Sequence, residues 1–238
     1  MARCCAGPPS TTAGVYGSDM TDRLVLASGL EIHCGLDRLR RFCAEEHPYY
    51  DAIPSRDPHR IEPEDVLVTV AVNSFVNHAA RVRSVHRGLA AECGPLLAGI
   101  PEDADLRSCD PGVVEALLAA ACRVHGVLVP VATKVLHRKR RLLIPMLDSV
   151  LIDAYRRVGV AVSGAALQDG RRAAAVVMPV LEAFSNDLRA AWDPLTRLGE
   201  SLREASYPLT TLRILETLIW IHNEPRGYYR NEVPGESR

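Results

Sequence analysis

Apolar positions recur along most of the chain at three- and four-residue spacing, the period that lines one face of an α-helix. Leu36, Leu39, Arg40 and Cys43 fall at this spacing and predict a helix over 36–46, which His47-Pro48 ends. A polar loop bearing Pro48, Pro54 and Pro58 follows, through Arg60. Pro63 then sits where a first helical turn needs no amide donor, and Glu64 and Asp65 behind it face the positive end of the dipole. That apolar helix is expected to run to about Ala80. Arg81 to Leu97 continues the period until Gly94-Pro95 kinks or splits it. Asp110-Pro111 opens a helix that turns Val113, Val114, Leu117, Leu118 and Ala121 inward and stops at Gly126. A short helix over 129–137, a basic turn and a helix over 149–157 come next. Residues 159–170 read as a loop, and helices over 171–191, 194–205 and 209–222 close the pattern, the first bent at Pro179. No pair of alternating runs flanks a hairpin turn and no repeat of 20 to 50 residues recurs, so the expected fold class is all-α.

With 238 residues, 47% of them hydrophobic and 24% charged, the chain can bury a sizeable core. A single helical domain is expected over 20–224, its hairpin core at 110–157, with a flexible tail over 225–238. Residues 1–19 are rich in Gly, Pro, Ser and Thr and read as a disordered leader, or as a start assigned ahead of Met20. A formal net charge of −1 leaves no global field for nucleic acid, so any such binding must come from a local patch. Charge is unevenly placed: Glu102, Asp103, Asp105, Asp110 and Glu115 form an acidic stretch just ahead of a basic one.

The seven cysteines are scattered, without a CxxC pair, which argues against structural zinc or an iron–sulfur cluster and for reduced thiols in a cytoplasmic protein. His33, Cys34, Cys43 and His47 lack the third partner that a cysteine nucleophile needs. There is no apolar run of about 20 residues for a membrane span, no secretory signal, and no phosphate-binding loop, HExxH or GxSxG. No cofactor or metal is expected.

The most informative stretch is GVLVPVATKVLHRKRRLLIPMLDSV, residues 126–150. An apolar helix ends at Gly126, a few residues turn the chain, and a new helix begins near Pro130. Glycine permits the positive φ of such a turn, and the new helix offers its first unpaired amides to whatever lies in front of them, a suitable place for a phosphate. Gly126, Val127 and Leu128 would then hold the backbone of DNA, with Lys134, His137, Arg138, Lys139, Arg140 and Arg141 supplying charge at the flank. An equally physical account makes Gly126 a helix stop and the basic run a solvated turn. Asp148, after an extended proline-bearing segment and just before a helix, suits a cap as well as a catalytic carboxylate.

This segment resembles the helix–hairpin–helix DNA glycosylase superfamily. It resembles more closely still an uncharacterised bacterial group with hairpins of the type GVGxxTAxKLLxRKRPxLIPVYDxVV. Gly126, Val127, Ala132, Lys134, Leu136, Arg138, Lys139, Arg140, Leu143, Ile144, Pro145, Asp148 and Val150 match in place, and LRILETLIWIHNE, residues 212–224, resembles that group's closing helix. The resemblance implies a glycosylase-like fold that grips duplex DNA, extrudes a nucleotide and uses Asp148 to stabilise an oxocarbenium-like sugar, as in base-excision repair. Asn73, Asn77, His78, Trp220 and His222 are the candidate pocket residues. Three departures bear on activity. Leu128 replaces the second hairpin glycine, Pro130 stands where bifunctional glycosylases carry their lysine, and the four-cysteine cluster of some members is absent. A glycosylase of this kind would be monofunctional. The alternatives are a catalytically silent nucleic-acid-binding member and a helical module that contacts protein partners through its acidic and basic stretches.

Overall fold

Several helices in this chain begin where a proline or a polar side chain suits the unpaired amides of a first turn. Asp110 Oδ1 accepts from Gly112 N at 2.9 Å, Asp148 Oδ1 from Leu151 N at 3.0 Å, and Thr210 Oγ1 from Arg213 N at 3.1 Å. His78 does the same through Nδ1, accepting from Arg81 N at 3.3 Å. The computed structural model describes residues 23–32, 36–74, 76, 78–164 and 172–224. The expected leader over 1–19, the tail over 225–238, Asn77, His33 and Cys34 lie outside them.

Among the described residues there are nine α-helices: α1 Leu36–Glu46, α2 Pro63–Leu67, α3 Ala79–Ala98, α4 Pro111–Cys122, α5 Val129–Lys139, α6 Ser149–Arg157, α7 Ala173–Ala190, α8 Trp192–Glu204 and α9 Thr211–Asn223. The protein is all-α, apart from one small antiparallel pair, β1 Leu24–Val25 and β2 Glu31–Ile32. Two-residue strands are too short to leave an alternating pattern, which is why no strand was expected here. Gly29 turns the pair at φ +86°, and Leu26 N bonds Leu30 O at 2.9 Å. Ser28 then ties the turn to α7: its amide and hydroxyl each reach Asp187 at 2.7 Å, and Tyr155 donates to the same carboxylate at 2.8 Å.

The helix expected from Pro63 to Ala80 is two elements. Residues after Leu67 tighten into a 3-10 turn over Val68–Val72, and Asn73 ends it in the left-handed region at φ 60°. Val66, Val68, Thr69, Val70 and Val72 are β-branched and lose χ1 freedom in a helix, while asparagine tolerates the left-handed conformation that stops it. The expected break at Gly94-Pro95 does not split α3, which carries Pro95 within its last turn.

One apolar core runs from Leu26 to Ile221. α4 packs between α3 and α7, and α9 between α6 and α8. α9 is enclosed: every residue from Leu212 to Ile219 is buried. Where α3 passes the end of α4, a Cβ on Gly88 would lie 2.4 Å from Val124 Cγ1, so this crossing requires a residue without a side chain. Gly88→Ala should therefore lower stability by about 1–3 kcal/mol through overpacking. In a Val124→Ala background only the Cβ of residue 124, at 3.3 Å, stays close, and the same change should cost much less or gain up to about 1 kcal/mol of helix propensity. Urea midpoints of the four proteins test this; equal losses in both backgrounds would show that contact with Val124 is not the cause.

Candidate functional site

The loop between α1 and α2 has little regular hydrogen bonding of its own, yet it lies against the body of the protein. Its carbonyls need donors. The basic run at the end of α5 provides them. Arg138 reaches Ile53 O at 3.1 Å and Pro54 O at 3.2 Å, Lys139 Nζ reaches Asp57 O at 2.9 Å and Ser55 Oγ at 2.7 Å, and Arg141 reaches Asp51 O and Ile53 O, both at 3.3 Å. Arg140 is fully buried. It spans Pro58 O at 2.6 Å, Leu97 O at 2.5 Å and Ile100 O at 2.6 Å, fastening the loop to the end of α3. Asp65 balances charge, pairing with Arg138 at 3.1 Å and with Lys139. His137 Nδ1 donates to Ile144 O at 2.7 Å.

This corrects both readings of the run, the solvated turn and the DNA-contacting flank. His137, Arg138, Lys139 and Arg140 are buried and Arg141 is half-buried, their donors spent on the protein's own backbone. The physical reason is the loop: an arginine fork has five donors and can satisfy several carbonyls at once, which a surface role would waste.

The hairpin between α4 and α5 has the expected turn, with Gly126 exposed at φ +75° and its carbonyl accepting from Arg81 at 3.2 Å. Val127 is buried and Leu128 half-buried. At the start of α5, however, Pro130 has no amide and Val131 N is already bonded to Leu128 O at 3.0 Å. Few donors remain there for a phosphate.

Lys134 lies elsewhere. One side of a cavity of about 60 Å³ is formed by Lys134 of α5 and by Asp148 and Leu151 at the start of α6. The other is formed by Arg213, Glu216, Thr217 and Trp220 of α9. Phe42 and Glu46 of α1, Met146 and the segment Ala71, Val72 and Asn73 complete the wall. Asp148, the cap of α6, uses its second oxygen to accept from Trp220 Nε1 at 3.1 Å. The Lys134 side chain is nearly enclosed, and among the described residues its ammonium forms no hydrogen bond or ion pair. Burial lowers its pKa, while the charges of Asp148 and Glu216 oppose that shift. The Thr217 hydroxyl is buried without a partner.

Of the expected pocket residues, Asn73 and Trp220 line this cavity beside Asp148. His78 and His222 do not line it. His78 is exposed at the start of α3, and His222, two positions past Trp220, projects from a different face of α9. Asn77 lies outside the described residues. Sequence reasoning missed Arg213, Glu216 and Thr217. The signal was present: an arginine and a glutamate three apart inside an otherwise apolar helix mark a buried pair, because such a helix has no solvent face to carry them. Arg213 pairs with Glu216 and with Asp51 at 3.1 Å, and Glu216 also accepts from Met146 N at 2.8 Å. Burial pushes Glu216 up to about 7 despite Arg213, and pushes His137 down to about 4. Burial likewise raises the Cys43 thiol to about 12, which removes it as a nucleophile.

A helical scaffold with a charged cavity, open at one mouth, between α5, α6 and α9 is thus the class of protein that the fold and site define. No helix among the described residues is long and apolar enough to cross a membrane. The chain belongs to DUF6308, a family of unknown function, whose model matches residues 37–223. Comparison with curated proteins and with solved structures gives no match.

Arg140→Met should cost about 3 kcal/mol or more, since it strands several buried carbonyls at about 1–3 kcal/mol each, and Arg140→Lys should recover little because one ammonium cannot span them. Chemical denaturation measures both; full recovery by lysine would show that charge alone is needed. Two buried groups give stability opposite pH slopes. Between pH 4.5 and about 7 the folded chain holds a proton on Glu216 that the unfolded chain releases, so this contribution is lost as pH rises. Between about 4 and 6.5 the unfolded chain protonates a histidine that folded His137 keeps neutral, so that contribution is lost as pH falls. Glu216→Gln should steepen the loss on acidification and His137→Gln should weaken it, read from urea midpoints at several pH values. Unchanged slopes in both variants would refute the assignment.

Proposed function

We propose that the chain is a DNA-binding protein of helix–hairpin–helix glycosylase-like fold, in which Asp148 acts on the sugar of a nucleotide presented at the cavity. One observation carries this reading: Asp148 and Lys134, 14 positions apart in the hairpin-and-helix unit, line a single cavity with Trp220 and Asn73. In such a reaction the Asp148 carboxylate would stabilise positive charge growing at the anomeric carbon, or orient water toward it. Pro130 in place of an amine makes the reading monofunctional at that position.

The cavity limits what enters. Benzene fills an engineered cavity of about 150 Å³, so about 60 Å³ does not house a nucleobase. A sugar edge reaches Asp148 while the base stays outside. With the basic run buried, phosphate contacts fall to the exposed hairpin turn and to the exposed Arg83 and Arg87 of α3, the helix whose Arg81 holds that turn.

Binding to duplex and abasic-site DNA at two salt concentrations tests the reading. Salt-sensitive binding should weaken in Arg83→Ala/Arg87→Ala, with a shallower salt slope. Asp148→Asn should abolish base release and leave binding unchanged. Base release by Asp148→Asn at the normal rate would remove the carboxylate from the mechanism, and no binding at low salt would remove DNA. The burial of the basic run favours a second reading in that event, a catalytically silent helical module that uses this scaffold for protein contacts.

A further inference from the structure

We propose that the cavity binds the neutral, hydroxyl-bearing end of a pentose-like ligand, held by Lys134 Nζ, Thr217 Oγ1 and Asp148. This deepens the reading above in that it rests on the same cavity, but it does not depend on DNA.

Two side chains point to a missing ligand. Lys134 is 5% exposed and Thr217 1% exposed, and both line the cavity; the Thr217 hydroxyl is buried without a hydrogen-bond partner, and the Lys134 ammonium opens on the cavity with no hydrogen bond or ion pair among the described residues. Polar groups this deeply buried are ordinarily satisfied. An ammonium can only donate, whereas a threonine hydroxyl can donate or accept. The missing partner therefore presents at least one acceptor oxygen to Lys134. Asp148 already accepts one hydrogen bond on each oxygen and keeps lone pairs for a ligand hydroxyl.

The charges on the wall select against ions. Lys134 and Arg213 face Glu46, Asp148 and Glu216, and Arg213 is engaged by Glu216 and by Asp51 behind it. Among the described residues, a phosphate or carboxylate would meet one cation outside an ion pair, Lys134, beside three carboxyl groups. A cationic ligand would meet the Lys134 ammonium on the same wall. A neutral ligand with adjacent hydroxyl and ether or carbonyl oxygens satisfies Lys134, Thr217 and Asp148 together. Phe42 and Trp220, with ring centroids 6.0 Å apart, and Leu151 give its C–H edge an apolar wall. With about 60 Å³ available, only one edge of a pentose ring enters, and the remainder projects through the mouth. Such an edge is offered by a free pentose and by a sugar within nucleic acid.

The test titrates ribose, 2-deoxyribose, inorganic phosphate and an abasic-site duplex into the purified protein, followed by backbone amide NMR shifts. Lys134→Met and Thr217→Val are the variants; each removes a group without a partner and so leaves no stranded one behind. Shifts at residues around the cavity from either pentose, weakened about tenfold or more in each variant, are expected if the source is free. The same losses with the abasic duplex alone identify a sugar within nucleic acid. Shifts from phosphate but not from pentose or duplex would overturn the proposal, as would binding that both variants retain, or no response to any probe. Base release that depends on Asp148 but is indifferent to Lys134 and Thr217 would sink this inference and leave the reading above standing. Pentose binding without affinity for DNA would do the reverse.

Discussion

The structure depends on donors supplied by one short run of cations to the carbonyls of one irregular loop. Residues 51–58 lack a ladder of their own and are held by Arg138, Lys139, Arg140 and Arg141, which reach seven of that loop's and its neighbours' carbonyl groups. Taking these cations out of water is expensive unless each donor finds an acceptor. Here the carbonyls and the Asp65 carboxylate provide them. A well-packed apolar replacement could be equally stable, but it would leave the loop's backbone unsatisfied. The cations therefore specify one course for the loop rather than simply adding stability.

That clamp also builds the cavity. With the end of α5 drawn toward the loop and α3, Lys134, one turn and more earlier on the same helix, meets α6 and α9. Asp51, at the start of the loop, reaches Arg213 on α9, and Arg213 in turn holds Glu216, which fastens the segment before α6 through Met146 N. Loop, α5, α6 and α9 are joined by one set of buried charges. Beside this set the Thr217 hydroxyl is buried without a partner, and the Lys134 ammonium opens on the cavity.

Much of the helical layout was legible in the sequence, because periodic apolar faces and cap residues act locally. α1 and α6 match their expected spans, 36–46 and 149–157, since His47-Pro48 ends one and Asp148 caps the other. The break at Asn73 was not legible, because it follows from crowding among β-branched residues rather than from a proline or glycine. The basic run was misplaced for a different reason. Its burial is set by carbonyls 40 or more positions away, and nothing in the local pattern of HRKRR separates a buried clamp from a solvated turn. At the site, Asp148, Asn73 and Trp220 were named from sequence, while Arg213 and Glu216, which give the cavity much of its charge, lie on the same α9 but were passed over in its apolar pattern.

The enclosure of α9 has a consequence for the order in which the protein is made. Domains acquire structure as the chain leaves the ribosome, at about 5–20 residues per second, yet the helix that occupies the centre of this core is the last of those described. Until it emerges, Asp51 and the amide of Met146 lack the charged partners that α9 brings, and the apolar faces of α6 and α8 stay uncovered. The growing chain therefore carries that surface uncovered until residues 211–223 emerge, and the cavity comes into existence only when they dock.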